Sequence, residues 1–200
     1  MKAEQSKANA KTSHAAPSAA KRRILDAAAR LFRQHGFARC TVRELAEEVG
    51  ILSGSLFHHF RSKDEILFAV MEEVILEMDR ALEEGLGRAE TSEARIRALV
   101  HNQLHFTHGP RADATAVLVH EWNALSPEGQ ADLLKRRDRY FARWHAVFIE
   151  AKVEGLVDVE PTVLRQLLHG AVVWTAYWYD PNGAMSLEEL EESALSLVLK

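Results

Sequence analysis

"TVRELAEEVGILSGSLFHHF", residues 41–60, is the stretch whose reading decides the rest of the chain. Thr41-Val42-Arg43-Glu44 has the form of a capping box, so Thr41 opens a helix whose inner face is Leu45, Ala46 and Val49. Gly50 breaks that helix after about two turns, because only glycine enters the left-handed region at no steric cost. A third, short helix is expected over residues 53–59, with Ile51 and Leu56 filling the space between the pair. Leu56 and Phe60 then face inward, Ser55, His58 and His59 face outward, and Phe57 lies at the edge as a packing residue. Two short helices joined this way form a helix-turn-helix, whose second helix fits the DNA major groove. Ser53, Gly54, Ser55 and His58 would face that groove, and Gly54 would let the backbone come close. The plainer alternative is a helical hairpin with two surface histidines.

Upstream, Ile24, Leu25, Ala28, Leu31 and Phe32 follow helical spacing until Gly36. Residues 1–18, rich in Ala, Lys and Ser without periodicity, are expected to form a disordered basic tail. Downstream, Ser62-Lys63-Asp64-Glu65 is a second capping box, opening a long helix with Ile66, Leu67, Val70, Met71, Val74 and Met78 inward. Further helices are expected over 92–108, 111–125, 127–154, 162–179 and 187–199, divided by glycine and proline punctuation. Ser126 before Pro127, and the box Ser186-Leu187-Glu188-Glu189, mark two of their starts. Nothing alternates with period two. The chain is expected to be all-α with about nine helices: a three-helix helix-turn-helix domain over 19–63 and a larger helical domain over 64–200.

Charge divides the same way. Residues 1–63 carry 12 Lys/Arg against 5 Asp/Glu, a balance of +7, whereas the remainder carries 13 against 24, or −11. A basic front suited to a polyanion thus precedes an acidic body with another task. The single cysteine excludes an intramolecular disulfide, and no apolar run approaches the ~20 residues needed to span a bilayer. Without a secretory apolar segment, the expected location is cytoplasmic, with no membrane partner. No G-x-S-x-G elbow, Walker loop, HExxH or acid–base pair points to an enzyme. A non-specific architectural DNA-binding protein would need a basic surface throughout, against the −11 of the second part.

"ILDAAARLFRQHGFARCTVRELAEEVGILSGSLFHHFRSKDEIL", residues 24–67, resembles the N-terminal DNA-binding domain of the TetR family of bacterial transcriptional regulators. The resemblance implies a homodimer that binds double-stranded DNA at a palindromic operator and is released from it by a small apolar effector. It implies DNA contacts from Thr41, from Leu52, Ser53, Gly54, Ser55, Phe57, His58 and His59, and from Lys63. Arg43 joins them as a salt-sensitive phosphate contact, and Thr41 also sits at a helix N-terminus that presents amides to a phosphate. The family's common pattern at positions 52–57 is Ser, Lys or Pro, Gly, Thr, Leu, Tyr; here Leu52 replaces the capping hydroxyl, so Ser53 is expected to cap instead. Phe57 lacks the tyrosine hydroxyl, a loss of about 1 kcal/mol. "GILSGSLFHHF" and "GAVVWTAYWYDPNGAMSLEEL" further resemble a branch regulating steroid-ring and fatty-acid breakdown, implying an acyl-CoA effector.

The larger domain offers either core or cavity for its aromatics. Leu104, His105, Trp122, Trp144, Phe148 and Trp174 are the candidate effector contacts. Arg139, in a cluster with Arg136, Arg137 and Arg143, could meet CoA phosphates or be a solvated face. His101, His105 and His108 share one helical face and could hold a metal ion, touch the effector, or lie on the surface; no metal or other cofactor is assigned. The resemblance places dimerisation on the last two helices, through Leu164, Leu168, Ala171, Val172, Leu190, Ala194 and Leu197. It also implies that the effector shifts the fourth helix, residues 63–84, and with it the spacing of the two recognition helices.

Overall fold

The computed structural model describes residues 17–199. Nine α-helices and two short 3₁₀ turns make up those residues, in the all-α arrangement expected. Residues 1–16 of the expected tail lie outside the described residues.

Local chemistry sets most boundaries. α1 (Ala19–His35) starts where the Ser18 hydroxyl accepts the Lys21 amide, and ends on Gly36 at φ 80°. α2 (Val42–Val49) carries the full Thr41/Glu44 capping box and closes on Gly50 at φ 75°, ψ 37°. α3 (Ser53–Leu56) is a single turn followed by looser i→i+3 bonds from His58 and His59, shorter than the 53–59 expected. Ser53, Gly54 and Ser55 favour turns over helix, which accounts for the early end. Leu52 occupies the N-cap with no side-chain bond, so Ser53 does not cap.

α4 (Lys63–Arg88) is capped by Ser62, but the Glu65 carboxylate does not accept the Ser62 amide to complete the box: it accepts the Arg61 amide at 2.6 Å. α5 (Ser92–His108), α6 (Ala112–His120), α7 (Pro127–Val153), α8 (Pro161–Trp174) and α9 (Leu187–Ser196) complete the order. Two expected helices break early for side-chain reasons. The segment 111–125 splits at Glu121, whose carboxylate reaches back to the Phe37 amide at 3.1 Å. The segment 162–179 stops at Trp174, because the Thr175 hydroxyl donates to the Val172 carbonyl at 2.6 Å and also meets His108 Nε2 at 2.7 Å.

α4 is the central post. It packs on α1 at one end and on α5, α6 and α7 along its length. Ile66, Leu67, Val70, Met71, Val74 and Leu82 are all fully buried there.

Candidate functional site

The first candidate site is the α2–α3 corner. Leu45, Ala46, Leu56 and Phe60 are at most 2% exposed and seat the corner on Ile24, Leu25 and Ala28 of α1. Gly50 is followed by a tight closure in which the Ile51 amide donates to the Ala46 carbonyl at 2.9 Å. Arg23 donates to the Val49 carbonyl, tying α1 to the end of α2. The outer face left by this packing holds Leu52, Gly54, Phe57, His58 and His59, all exposed, with Ser53 and Ser55 half-buried. A Cβ on Gly54 would meet nothing within 4 Å, so that edge is open.

Several expected contacts change role here. Phe57 was expected to pack, yet it is 52% exposed beside Leu52 at 80%. Lys63 is no free phosphate contact: its Nζ donates to the Phe37 and Cys40 carbonyls, each at 2.8 Å, and lies 4.2 Å from the centre of the Phe37 ring. It clamps the α1–α2 turn to the start of α4. The Thr41 hydroxyl donates to Glu44 at 2.9 Å, and the Thr41 amide and hydroxyl hold that carboxylate below its usual range. Arg43 is exposed but paired with Glu47 one turn on, a contact weak enough for a phosphate to replace.

The second site is a cleft of ≈ 680 Å³ bounded by Ile75 and Met78 from α4, Leu118 and Val119 from α6, Arg137 and Phe141 from α7, and Arg165 and His169 from α8. Its floor is closed by Tyr140 and Gln103: the Tyr140 hydroxyl donates to Gln103 at 3.3 Å and accepts from Asn102 at 3.2 Å. Burial pushes Tyr140 up to about 12.

Of the expected effector contacts, Trp122 alone borders this cleft. Leu104, Trp144 and Phe148 are core, none more than 1% exposed. His105 is exposed and stacks on His101. Trp174 is 61% exposed and leans on Tyr177, and Arg139 opens onto a separate groove between α1, α4 and α7. The three histidines on α5 do not converge. His101 Nδ1 meets Glu191 at 2.8 Å, while His108 turns to Thr175; among the described residues no group of three or more His, Cys, Asp or Glu could hold a metal ion.

Most of the expected dimerising stripe is buried within this chain. Leu164, Leu168, Val172 and Leu190 are each at most 5% exposed within this chain, and Ala194 packs against the same core. Only Ala171 and Leu197 are exposed. The open apolar strip of α8 is instead Val163, Leu167 and Trp174, continued by Tyr177 and Trp178. Its i, i+4, i+11 spacing lies one residue off the chosen one and was legible, since a helix apolar on both sides needs two partners.

Two family models match the chain: one described as bacterial regulatory proteins, tetR family, over residues 24–70, and one described as tetracyclin repressor-like, C-terminal domain, over residues 89–200. The chain belongs to the TetR family. It is 25% identical over 186 residues to the HTH-type transcriptional repressor KstR2 of Mycolicibacterium smegmatis, covering 92% of this chain and 90% of that protein. Among solved structures, superantigen PfiT is 47% identical with a TM-score of 0.80, covering 93% of this chain and 99% of that one. AibR in complex with isovaleryl coenzyme A and operator DNA shares the fold, with a TM-score of 0.82 at 24% identity over 90% of this chain and 98% of that one. As a TetR-family regulator the chain is not an enzyme. Among its described residues, no helix is long and apolar enough to cross a membrane.

What joins the two sites in this TetR-family chain is a charged seam that sequence reasoning missed. Arg111, just before α6, meets Asp26 of α1 at 2.5 Å and Glu77 of α4 at 2.7 Å, with Glu73 at 3.4 Å. Arg22 of α1 completes the group, at 2.5 Å from Glu77 and 3.1 Å from Glu73. Burial pushes Glu73 up from its ordinary value, while Arg22 and Arg111 oppose the shift. Arg33–Asp113 at 2.7 Å and Phe37–Glu121 fasten both ends of α6 to α1. These pairings span separations of up to 85 residues, which no local spacing reveals.

His169 gives the cleft a pH signature. Burial, then the charges of Arg165 and Arg137, push it from 6.5 down to about 4. The unfolded chain therefore takes up a proton below about 6.5 that the folded chain refuses until about 4, so stability is complete above that window and falls through it. The wild-type chain is expected to lose about 3 kcal/mol more than His169→Gln across the window. Urea unfolding of both chains above and below it checks this, and parallel losses would refute it.

Proposed function

We propose that the chain is a ligand-responsive repressor: a homodimer that holds a palindromic operator through two α2–α3 corners and is released when an apolar effector fills the α4–α8 cleft. The observation that carries it is the α3 turn, whose buried Leu56 and Phe60 hold Gly54, Phe57, His58 and His59 outward. A rigid, shallow, partly polar probe is what major-groove reading requires. Thr41, Arg43, Leu52, Ser53 and Ser55 border the same face, with Lys63 as its clamp. The dimer contact is the open strip of α8 with Leu197 at the end of α9, and two-fold pairing there sets the operator's half-site spacing.

AibR, solved in complex with isovaleryl coenzyme A and operator DNA, supports an acyl thioester as the effector class. The wall of the cleft formed by α6 is fastened to α1, so displacement of that wall bears on the reading corner as directly as a swing of α4. A ~100-fold preference of the effector for the released state, about 2.7 kcal/mol, is sufficient.

His58→Ala is expected to lower the ratio of operator to random-DNA affinity by roughly tenfold, leaving random-DNA affinity nearly unchanged. Fluorescence anisotropy on a selected duplex and its scramble, at one fixed salt concentration, checks this. Equal losses on both duplexes would contradict the role. A second reading, as a module that binds another protein, takes support from the 47% identity to a protein named a superantigen. A chain that stays monomeric and ignores every duplex would favour that reading.

A further inference from the structure

The arginines of α7 differ in what they meet. Arg136 pairs with Glu72 at 2.7 Å, and Arg143 pairs with Asp79 at 2.8 Å and Glu83 at 3.2 Å, so both fasten α7 to α4. Arg137, between them, faces the cleft. Its guanidinium lies over the Trp122 ring at 5.3 Å, and its Nε is buried without a hydrogen-bond partner. Arg165 of α8 lines the same cleft and lies 4.7 Å over the Phe141 ring. Among the described residues neither makes an ion pair, although the Asp138 carboxylate borders the same cleft. Phe141 also meets His169 edge to face at 4.8 Å, so both arginines line the cleft against the rings of Trp122, Phe141 and His169.

Stacked guanidiniums keep their planar donor edges available for a carboxylate or phosphate. Met78, Leu118 and Val173 add apolar lining to the same cleft. We propose that the effector carries an anionic group held between Arg137 and Arg165, with its apolar body against Met78, Leu118 and Phe141. The proposal rests on the reading of this cleft as the effector site. It adds that bound effector bridges α7 and α8, the helix that carries the open apolar strip.

Isothermal titration of the full-length chain with decanoate, decanoyl-CoA and 1-decanol tests it. Binding of either anion with little or none by the alcohol is expected, and Arg137→Gln and Arg165→Gln should each weaken the anion by roughly tenfold to a hundredfold. Arg139→Gln, outside the cleft, should change nothing, and circular dichroism checks that each variant is folded. Decanoate binding as tightly as decanoyl-CoA marks a free carboxylate; much tighter thioester binding marks the phosphates. Equal binding of alcohol and anions that Leu118→Trp abolishes would overturn the anionic recognition and leave the cleft as the effector site. Binding that Leu118→Trp leaves intact, or no binding by any of the three, would overturn both.

Discussion

Arg111→Ala is expected to destabilise the chain by about 3–5 kcal/mol, a drop in Tm on the order of 10 °C. The arginine's side chain is only 18% exposed and serves three carboxylates on two helices. Its removal leaves Asp26, Glu73 and Glu77 with Arg22 alone, and Glu73 is 7% exposed. An exposed pair such as Arg43–Glu47, screened by solvent, would cost far less by the same change. The loss is also expected to decouple the sites, so that effector still binds while operator release weakens. Urea unfolding and release titrations measure the two effects. A change below about 1 kcal/mol would mean that solvent screens the seam as it does surface pairs.

Trp144→Ala should cost a similar 3–5 kcal/mol, for a different reason. The indole is fully buried between Tyr140 and Phe148, with ring centres at 6.2 and 6.1 Å, and truncation leaves a hole the packed bundle closes only in part. Trp144→Phe restores part of the volume and should recover much of that loss, with effector affinity close to wild type. Loss of effector affinity in Trp144→Phe at unchanged stability would return Trp144 to the effector site.

The capping residues made four helix starts readable in advance, because Thr41, Ser62, Ser126 and Ser186 satisfy amides within their own first turn. Helix ends were legible only where glycine sets them, as at Gly36 and Gly50. Those of α6 and α8 depend on Glu121 and Thr175 meeting distant partners. The reading corner was legible because its apolar and polar positions separate cleanly over a few residues. The lining of the cleft was not: aromatic identity gives a side chain's size but not the side of the helix it occupies, so the buried Trp144 and Phe148 passed for lining. Lys63 was misread for a related reason, since a lysine beside a basic surface does not reveal that its ammonium is spent on two carbonyls.

The fastening of α6 to α1 divides the labour of change. Arg137, Phe141, Arg165 and His169 all lie on α7 and α8, away from Asp26, Arg111, Asp113 and Glu121, which carry the fastening. On the proposed function, substitutions that retune chemical preference can accumulate on the first set while the fastening on the second stays intact. A biosensor engineer would randomise the former and freeze the latter, inheriting a working switch with a new trigger.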